Sequence, residues 1–408
     1  KINDFESFGR QLTRLQRKEL TAAELSKLVG DDDSHGIDPD RLARLTDLLA
    51  RLKDQKHRYL EGAGGTGRAR MVLAIDSGST SFWNGMYPYN PLPHPWVCHL
   101  PGDAPAMAVG LFEGIVTRLA REVAVIRSAE LELDDAYEPG EHDQYFERFD
   151  WSEFADDELD LVPPILVLAE AGTTTWEGVS KLLSMRFPVK IAVIDRLGLT
   201  VAASDGLGTD LQGASAVGEE LGLLALTRRD VFVLQTSVGH PGHLIHGVSE
   251  GLAGHAPALF YIHAPDPQTS GVASDETARQ AELAYRSRLF PLFKFDPKKE
   301  SPLTLVGNPD IDQTWTSHEQ SITEPSGSAA TRDVPLTVAD WAVRGTRFSE
   351  HFKIMSKGHR TAEMKTLAEY IELDAAGRGG LEPYIDVIDR RGRHVIAVVS
   401  PELVAATE

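Results

Sequence analysis

Three short stretches carry side chains whose types and spacing could do chemistry. The first is Asp76-Ser77-Gly78-Ser79-Thr80-Ser81, directly after the apolar run Met71–Ile75. A Gly/Ser/Thr turn after a strand offers backbone N–H groups and hydroxyls to a phosphate, although the same residues also cap helices. The second is Glu170–Thr175 (EAGTTT) and the third is Asp195–Thr200 (DRLGLT). Three other patterns lead elsewhere. His240, His243 and His246 recur every three residues, with His255 nearby. On a helix the third of these drifts round by about 60°, and only Glu250 is placed to complete a ligand set, so no metal site is expected. Cys98 lies beside His99 without the signature of a thiol or serine hydrolase, which predicts a buried free thiol. Gly62–Gly67 (GAGGTG) fits G-x-G-x-x-G but follows a helix and precedes a strand, the reverse of the dinucleotide arrangement, and reads as a hinge.

The elements that position the second and third stretches form one βαβ unit, Ile165–Asp195. Ile165–Ala169 is a continuous apolar run, the pattern of a strand buried on both faces. Glu170-Ala171-Gly172 makes a turn, Thr173–Thr175 can cap the next helix, and Pro188 closes it before the strand Val189–Ile194. In such sheets ligands sit beyond the carboxyl ends of the strands. Strands are also expected at Met71–Ile75, Val231–Gln235 and Ala258–His263, and helices at Ala104–Arg127, Glu219–Thr227, Pro241–Gly254 and Ser274–Arg288. This alternation predicts an α/β fold with a parallel sheet flanked by helices. Ahead of it, Phe5–Val29 and the leucine stripe from Asp38-Pro39 to Tyr59 predict a helical arm over residues 1–61. The core is then residues 62–300, with Tyr87–Trp96 a rigid proline-aromatic loop, acidic, aromatic Ala129–Asp160 a covering segment, and Val201–Gly218 a glycine-rich loop. Residues 301–336 read as a linker, centred on polar Ser317–Arg332. Residues 337–408 read as a small C-terminal α+β lobe, with a helix at Thr337–Phe352, a basic patch at Lys357–Arg360 and a hairpin at Tyr384–Val399 turning at Arg390–Arg393.

Composition excludes several classes. With 41 Lys and Arg against 61 Asp and Glu, the formal charge is −20, which argues against nucleic acid or an anionic membrane surface as the main partner. A single cysteine rules out a disulfide framework and an all-cysteine iron–sulfur cluster within the chain, and fits a reducing, cytoplasmic compartment. No apolar run approaches the length of a membrane span, and no secretory signal is seen.

In order and spacing the chain resembles the thiamine-diphosphate domain of the pyruvate:ferredoxin/flavodoxin oxidoreductases, over about Leu42 to Pro297. Ser77-Gly78-Ser79-Thr80-Ser81 stands where that family has Thr-Gly-Cys-Ser-Ser. Gly102–Gly114 is similar to the segment before its Leu-Phe-Glu. Glu170-Ala171-Gly172 occupies its Gly-Asp-Gly, and Ile194-Asp195 its Leu-Asp. Glu220–Leu223 and Ala284–Pro297 are also similar to family segments. The resemblance implies a thiamine-diphosphate-binding fold, with thiamine diphosphate and Mg2+ as cofactors. It places Ser77, Gly78, Ser79, Thr80, Glu170, Gly172, Thr173, Asp195 and Arg196 at the cofactor, and implies partner subunits in an oligomeric 2-oxoacid oxidoreductase complex.

The departures bear on activity. The family's magnesium-binding Asp of Gly-Asp-Gly is Ala171 here, the metal-side Thr is Arg196 and a later Asn is Val201. A hard cation needs several oxygen ligands. The family's cluster cysteines correspond to Ser79 and Ala264, and the Cys-x-x-Cys pair has no counterpart in Leu60–Met71, so no iron–sulfur cluster is expected in this chain. The leading expectation is a structural or regulatory subunit or fragment of a 2-oxoacid (pyruvate-type) oxidoreductase-like complex, a pseudoenzyme not catalytic alone. One alternative is an active part that binds thiamine diphosphate divergently and passes electrons to ferredoxin or flavodoxin through another subunit. Another is a small-anion binding module built on Ser77–Ser81. Arg196 could meet a phosphate or carboxylate without metal, or pair with Glu170.

Overall fold

The computed structural model describes residues 39–62, 64–76, 94–99, 104–134, 136–171, 174, 176–185, 188–196, 221–310, 312–323, 329–388 and 394–408. The expected helix Phe5–Val29, most of the loop Tyr87–Trp96, the loop Val201–Gly218 and the turn Arg390–Arg393 lie outside these residues. The chain divides into two compact units, Lys1–Arg70 with Gly110–Pro163, and Met71–Val109 with Pro164–Glu408. These bounds differ from a 62–300 core flanked by arm, linker and lobe.

The first unit is helical. Helix α1 (Pro39–Leu60) starts on a proline, whose fixed φ and missing N–H suit a first turn. It buries Leu48, Leu49 and Gln55. Helix α2 (Ala104–Leu133) begins in the second unit and enters this one at Gly110, where it buries Phe112, Val116, Leu119, Ala120 and Val123, an i, i+3, i+4 stripe. The acidic aromatic stretch folds into α3 (Pro139–Arg148), a 3-10 turn at Trp151–Glu153 and α4 (Asp156–Leu159). It covers α2: Phe149 packs with Ala120, Val123 and Ala124, and Phe146, Phe154 and Leu161 close over them. Arg127 Nη2 donates to Glu158 Oε2 at 2.6 Å while its guanidinium lies over the Phe149 ring. Just past α1, Gly62 N donates to His57 O (2.9 Å) and Gly67 N to Glu61 O (2.8 Å).

The second unit is built on an eight-stranded sheet. Its strands are β1 (Val72–Asp76), β2 (Trp96–His99), β3 (Ile165–Glu170), β4 (Val189–Asp195), β5 (Phe232–Ser237), β6 (Ala258–His263), β7 (Phe293–Phe295) and β8 (Leu303–Thr304). The order is β2-β1-β3-β4-β6-β5-β7-β8. The first six run parallel, whereas β7 and β8 are antiparallel. This is the expected α/β class: helices α5 (Trp176–Ser184), α6 (Leu221–Ala225), α7 (Pro241–Ala253), α8 (Pro267–Ser270) and α9 (Thr277–Arg286) flank a mostly parallel sheet. Strand β3 alternates buried with half-buried residues instead of being buried throughout. Its half-buried Leu166 and Leu168 pack on the cluster of Ala192, Phe232, Leu234, Ala258 and Phe260. On β6, α7 lies so close that a Cβ at Gly251 would stand 2.4 Å from Phe260.

Three elements correct the sequence reading. Trp96–His99 is an edge strand, not the end of a loop. Ser317–Arg332, read as linker, lies within a hairpin of β9 (Thr316–Thr323) and β10 (Ala329–Leu336), paired from Thr316↔Leu336 to Thr323↔Ala329. The stretch is mostly polar and its few apolar residues, Ile322, Ala329 and Ala330, do not alternate, so hydrophobic period could not reveal it. The helix expected at Thr337–Phe352 stops early: α10 is Val338–Ala342, a 3-10 turn covers Thr346–His351, and β11 (Phe352–Ser356) follows. Gly345 marks the break, since a Cβ there would lie 2.4 Å from Ser270 O. Strands β12 (Met364–Thr366), β13 (Glu382–Ile388) and β14 (His394–Val399) complete a four-stranded sheet in the order β11-β14-β13-β12. The short helices α11 (Leu367–Ile371) and α12 (Pro401–Thr407) accompany it. The hairpin of β13 and β14 agrees with the sequence reading. This lobe belongs to the same compact unit as the parallel sheet, and Gln280 Nε2 of α9 donates to Trp341 O of α10 at 3.0 Å. No helix among the described residues is long and apolar enough to cross a membrane.

Candidate functional site

The carboxyl ends of β1, β3, β4 and β6 collect the polar side chains that the sheet's apolar strands cannot hold in their middles. Asp76 ends β1 and is nearly fully buried. Its Oδ1 accepts from Ala104 N at 3.1 Å, capping the first turn of α2, and its Oδ2 accepts from Thr174 Oγ1 at 3.2 Å. β3 and β4 lie side by side in parallel register, with Glu170 opposite Ile194. One residue past β4, Arg196 turns back, and its Nε stands 3.6 Å from Glu170 Oε1. The two side chains are 29% and 18% exposed, so the pair is half-buried but open to solvent. Ala171 N donates to Ile194 O (3.0 Å) and Thr174 N to Glu170 O (3.2 Å), which fixes the backbone beneath this pair.

Asp195, at the end of β4, is buried among different groups. Tyr261 OH donates to its Oδ2 at 3.3 Å, and His263 Nδ1 lies 3.9 Å from the same oxygen. His263 has no solvent exposure, neither ring nitrogen finds a hydrogen-bond partner among the described residues, and the ring packs on Phe290 with centroids 5.1 Å apart. Burial lowers the pKa of the Arg347 guanidinium, and the negative charge of Asp195 partly offsets this. Arg347 comes from the 3-10 turn after α10, so a cation of the C-terminal lobe lies within electrostatic range of Asp195.

Of the residues singled out from sequence, Glu170 and Arg196 are brought together and Asp195 ends the adjacent strand. Ser77, Gly78, Ser79, Thr80, Gly172 and Thr173 lie outside the described residues. Sequence reasoning put Asp76 and Thr174 inside its candidate stretches without giving either a role, and it gave Tyr261, His263 and Arg347 no place at the site. Asp76 and His263 are polar residues closing apolar strands, a signal that was present; Arg347 is remote in sequence and carries none. The other histidines have separate partners. His240 caps α7 by accepting from His243 N (3.2 Å), and His243 Nδ1 meets Thr236 Oγ1 at 2.9 Å. Burial first, then His240, pushes the His243 pKa down to about 4. His246 lies 3.5 Å from Glu250, whose carboxylate is also held by Lys294 at 2.5 Å. The Cys98 thiol is pushed up by burial and by Asp76, the opposite of an activated nucleophile.

No family model matches the chain. Ala171 brings no side-chain oxygen, Glu170 faces a guanidinium, and no three His, Cys, Asp or Glu side chains converge among the described residues.

Proposed function

We propose that this chain is a structural or regulatory subunit, or a fragment, of a 2-oxoacid oxidoreductase-like complex. In this reading it keeps a thiamine-enzyme-like α/β fold and has replaced the metal anchor with an ion pair. The observation that carries the reading is Arg196 Nε at 3.6 Å from Glu170 Oε1, across the ends of neighbouring parallel strands. Those are the positions where the resemblance puts the diphosphate and its metal. A guanidinium there supplies fixed positive charge next to a carboxylate that would otherwise attract a cation. The chain's own residues bind and orient at this crevice; they do not make the oxygen cage that a hard cation takes. The resemblance also implies that a second domain completes the site, so partner subunits are part of the proposal.

The test is cofactor content. The purified chain, alone and with its co-purifying partners, is denatured and assayed for thiamine diphosphate, magnesium and iron. Less than about one tenth equivalent of each in the folded chain alone is expected. Stoichiometric thiamine diphosphate in that preparation would overturn the reading in favour of a divergent active site.

A further inference from the structure

The chain carries a formal charge of −20, yet four arginines gather round one surface cavity in the helical unit. The cavity measures about 290 Å³. Arg51 and Arg58 reach it from α1, and Arg118 and Arg121 from α2. Positions seven apart, and three apart, fall on one side of a helix, so each pair is presented together. Two carboxylates share the lining, Asp54 and Glu122. Four guanidiniums face Asp54 and Glu122 in the lining and Asp47 beside Arg51, which leaves a small local positive surplus on an otherwise acidic protein.

The wall of this cavity is built, not incidental. Glu122 is buried, and its carboxylate is held by Arg58 Nη1 at 3.0 Å, Tyr59 OH at 2.8 Å and Arg118 Nε at 3.7 Å. Gln55 Nε2 donates to Glu122 O at 3.3 Å and fastens the two helices together. Arg58 and Arg118 therefore answer the buried charge, and Arg51 and Arg121 add to it. Asp54 lies 2.9 Å from Arg58 Nη2, and Asp47, outside the lining, lies 3.6 Å from Arg51 Nη1. All four of these side chains are well exposed, and exposed pairs are held weakly enough for a multivalent anion to displace them. A guanidinium fork matches two oxygens of a phosphate at once, and several forks converging on a pocket are the chemistry of a di- or trianion. The lining has no aromatic face for a base, so recognition is of the phosphate itself. A second cavity of about 340 Å³ shares Arg51 and Arg121 and continues past Tyr137 and Phe146, which leaves room for an organic group.

We propose that the arginine-lined cavity between α1 and α2 binds the phosphate or diphosphate group of a small molecule. This site is independent of the oxidoreductase reading. Calorimetric titration of the full chain at low ionic strength, with inorganic pyrophosphate and with inorganic phosphate, tests it. The expected result is one saturable site, tighter for pyrophosphate, weakened at least tenfold in the Arg51→Gln/Arg121→Gln double variant and weakened severalfold in Arg121→Gln alone. Both substitutions are at exposed positions, and unchanged circular dichroism would report the fold. Arg229→Gln, at an exposed arginine outside the cavity, serves as the control and is expected to bind as the parent does. The proposal is overturned by absence of saturable binding, by a double variant that binds as tightly as the parent, or by loss of binding in Arg229→Gln alone.

Discussion

Asp340 sits inside the first turn of α10, where its Oδ2 accepts from Thr337 N and Thr337 Oγ1, each at 2.7 Å. Burial pushes its pKa up from 3.8 to about 6, with the Thr337 bonds opposing. Between these values the folded state holds a proton that the unfolded state has lost, so stability falls as pH rises from about 4 to about 6. Above that the full penalty persists, roughly 3 kcal/mol at about 1.4 kcal/mol per unit. Asp340→Asn is therefore expected to flatten this part of the stability–pH curve, as measured by urea unfolding at several pH values. Glu122 poses the opposite case, a buried charge that is fully answered; it also raises the Tyr59 phenol above its usual range, after burial itself. Glu122→Ala strands Arg58 and Tyr59 and is expected to cost about 3 kcal/mol in the same assay. The Arg196–Glu170 pair is half-open at 3.6 Å, so Arg196→Ala is expected to cost less than about 1 kcal/mol. At this scale the sequence was legible where a polar residue closes an apolar strand, as at Glu170 and Asp195. It was silent on Arg347, which reaches Asp195 only because the chain returns to the sheet after α10.

Packing of whole elements makes glycines behave in opposite ways. On α7, Gly251 has Phe260 and Phe232 atoms within 2.4–2.8 Å of where a Cβ would stand. Gly251→Ala is expected to destabilise by about 1–3 kcal/mol in urea unfolding, because overpacking outweighs the gain in helix propensity. On α2, nothing lies within 4 Å of the equivalent point at Gly114, and Gly114→Ala is expected to stabilise by about 0.5–1 kcal/mol. The β9–β10 ribbon is a separate two-stranded sheet, and such ribbons are marginal alone. Its amides should exchange with deuterium well before those of β3, β4 and β6, and equal protection would show that something else holds it. Five of the six parallel strands were legible because they are apolar runs; Trp96–His99, directly after a proline-rich loop, was not. The ribbon was not, since its residues carry no apolar period, and the end of α10 depends on how closely Gly345 approaches Ser270.

Across the whole molecule, the formal charge of −20 sets a mutual repulsion that salt weakens. The urea midpoint is expected to rise between about 0.05 and about 0.5 M NaCl, and a fall would mean that paired charges such as Arg127–Glu158 dominate. The α/β class followed from alternation along the chain. The helical unit did not, because its two long helices are separated by β1 and β2 and nothing local announces that they belong together. That separation has a consequence for how the protein is made. Gln55 must wait 67 residues for the carbonyl of Glu122, which at about 5–20 residues per second is roughly 3–13 s of translation. During that time α1, with Leu48 and Leu49 buried in the finished protein, is without the α2 residues to which it is tied.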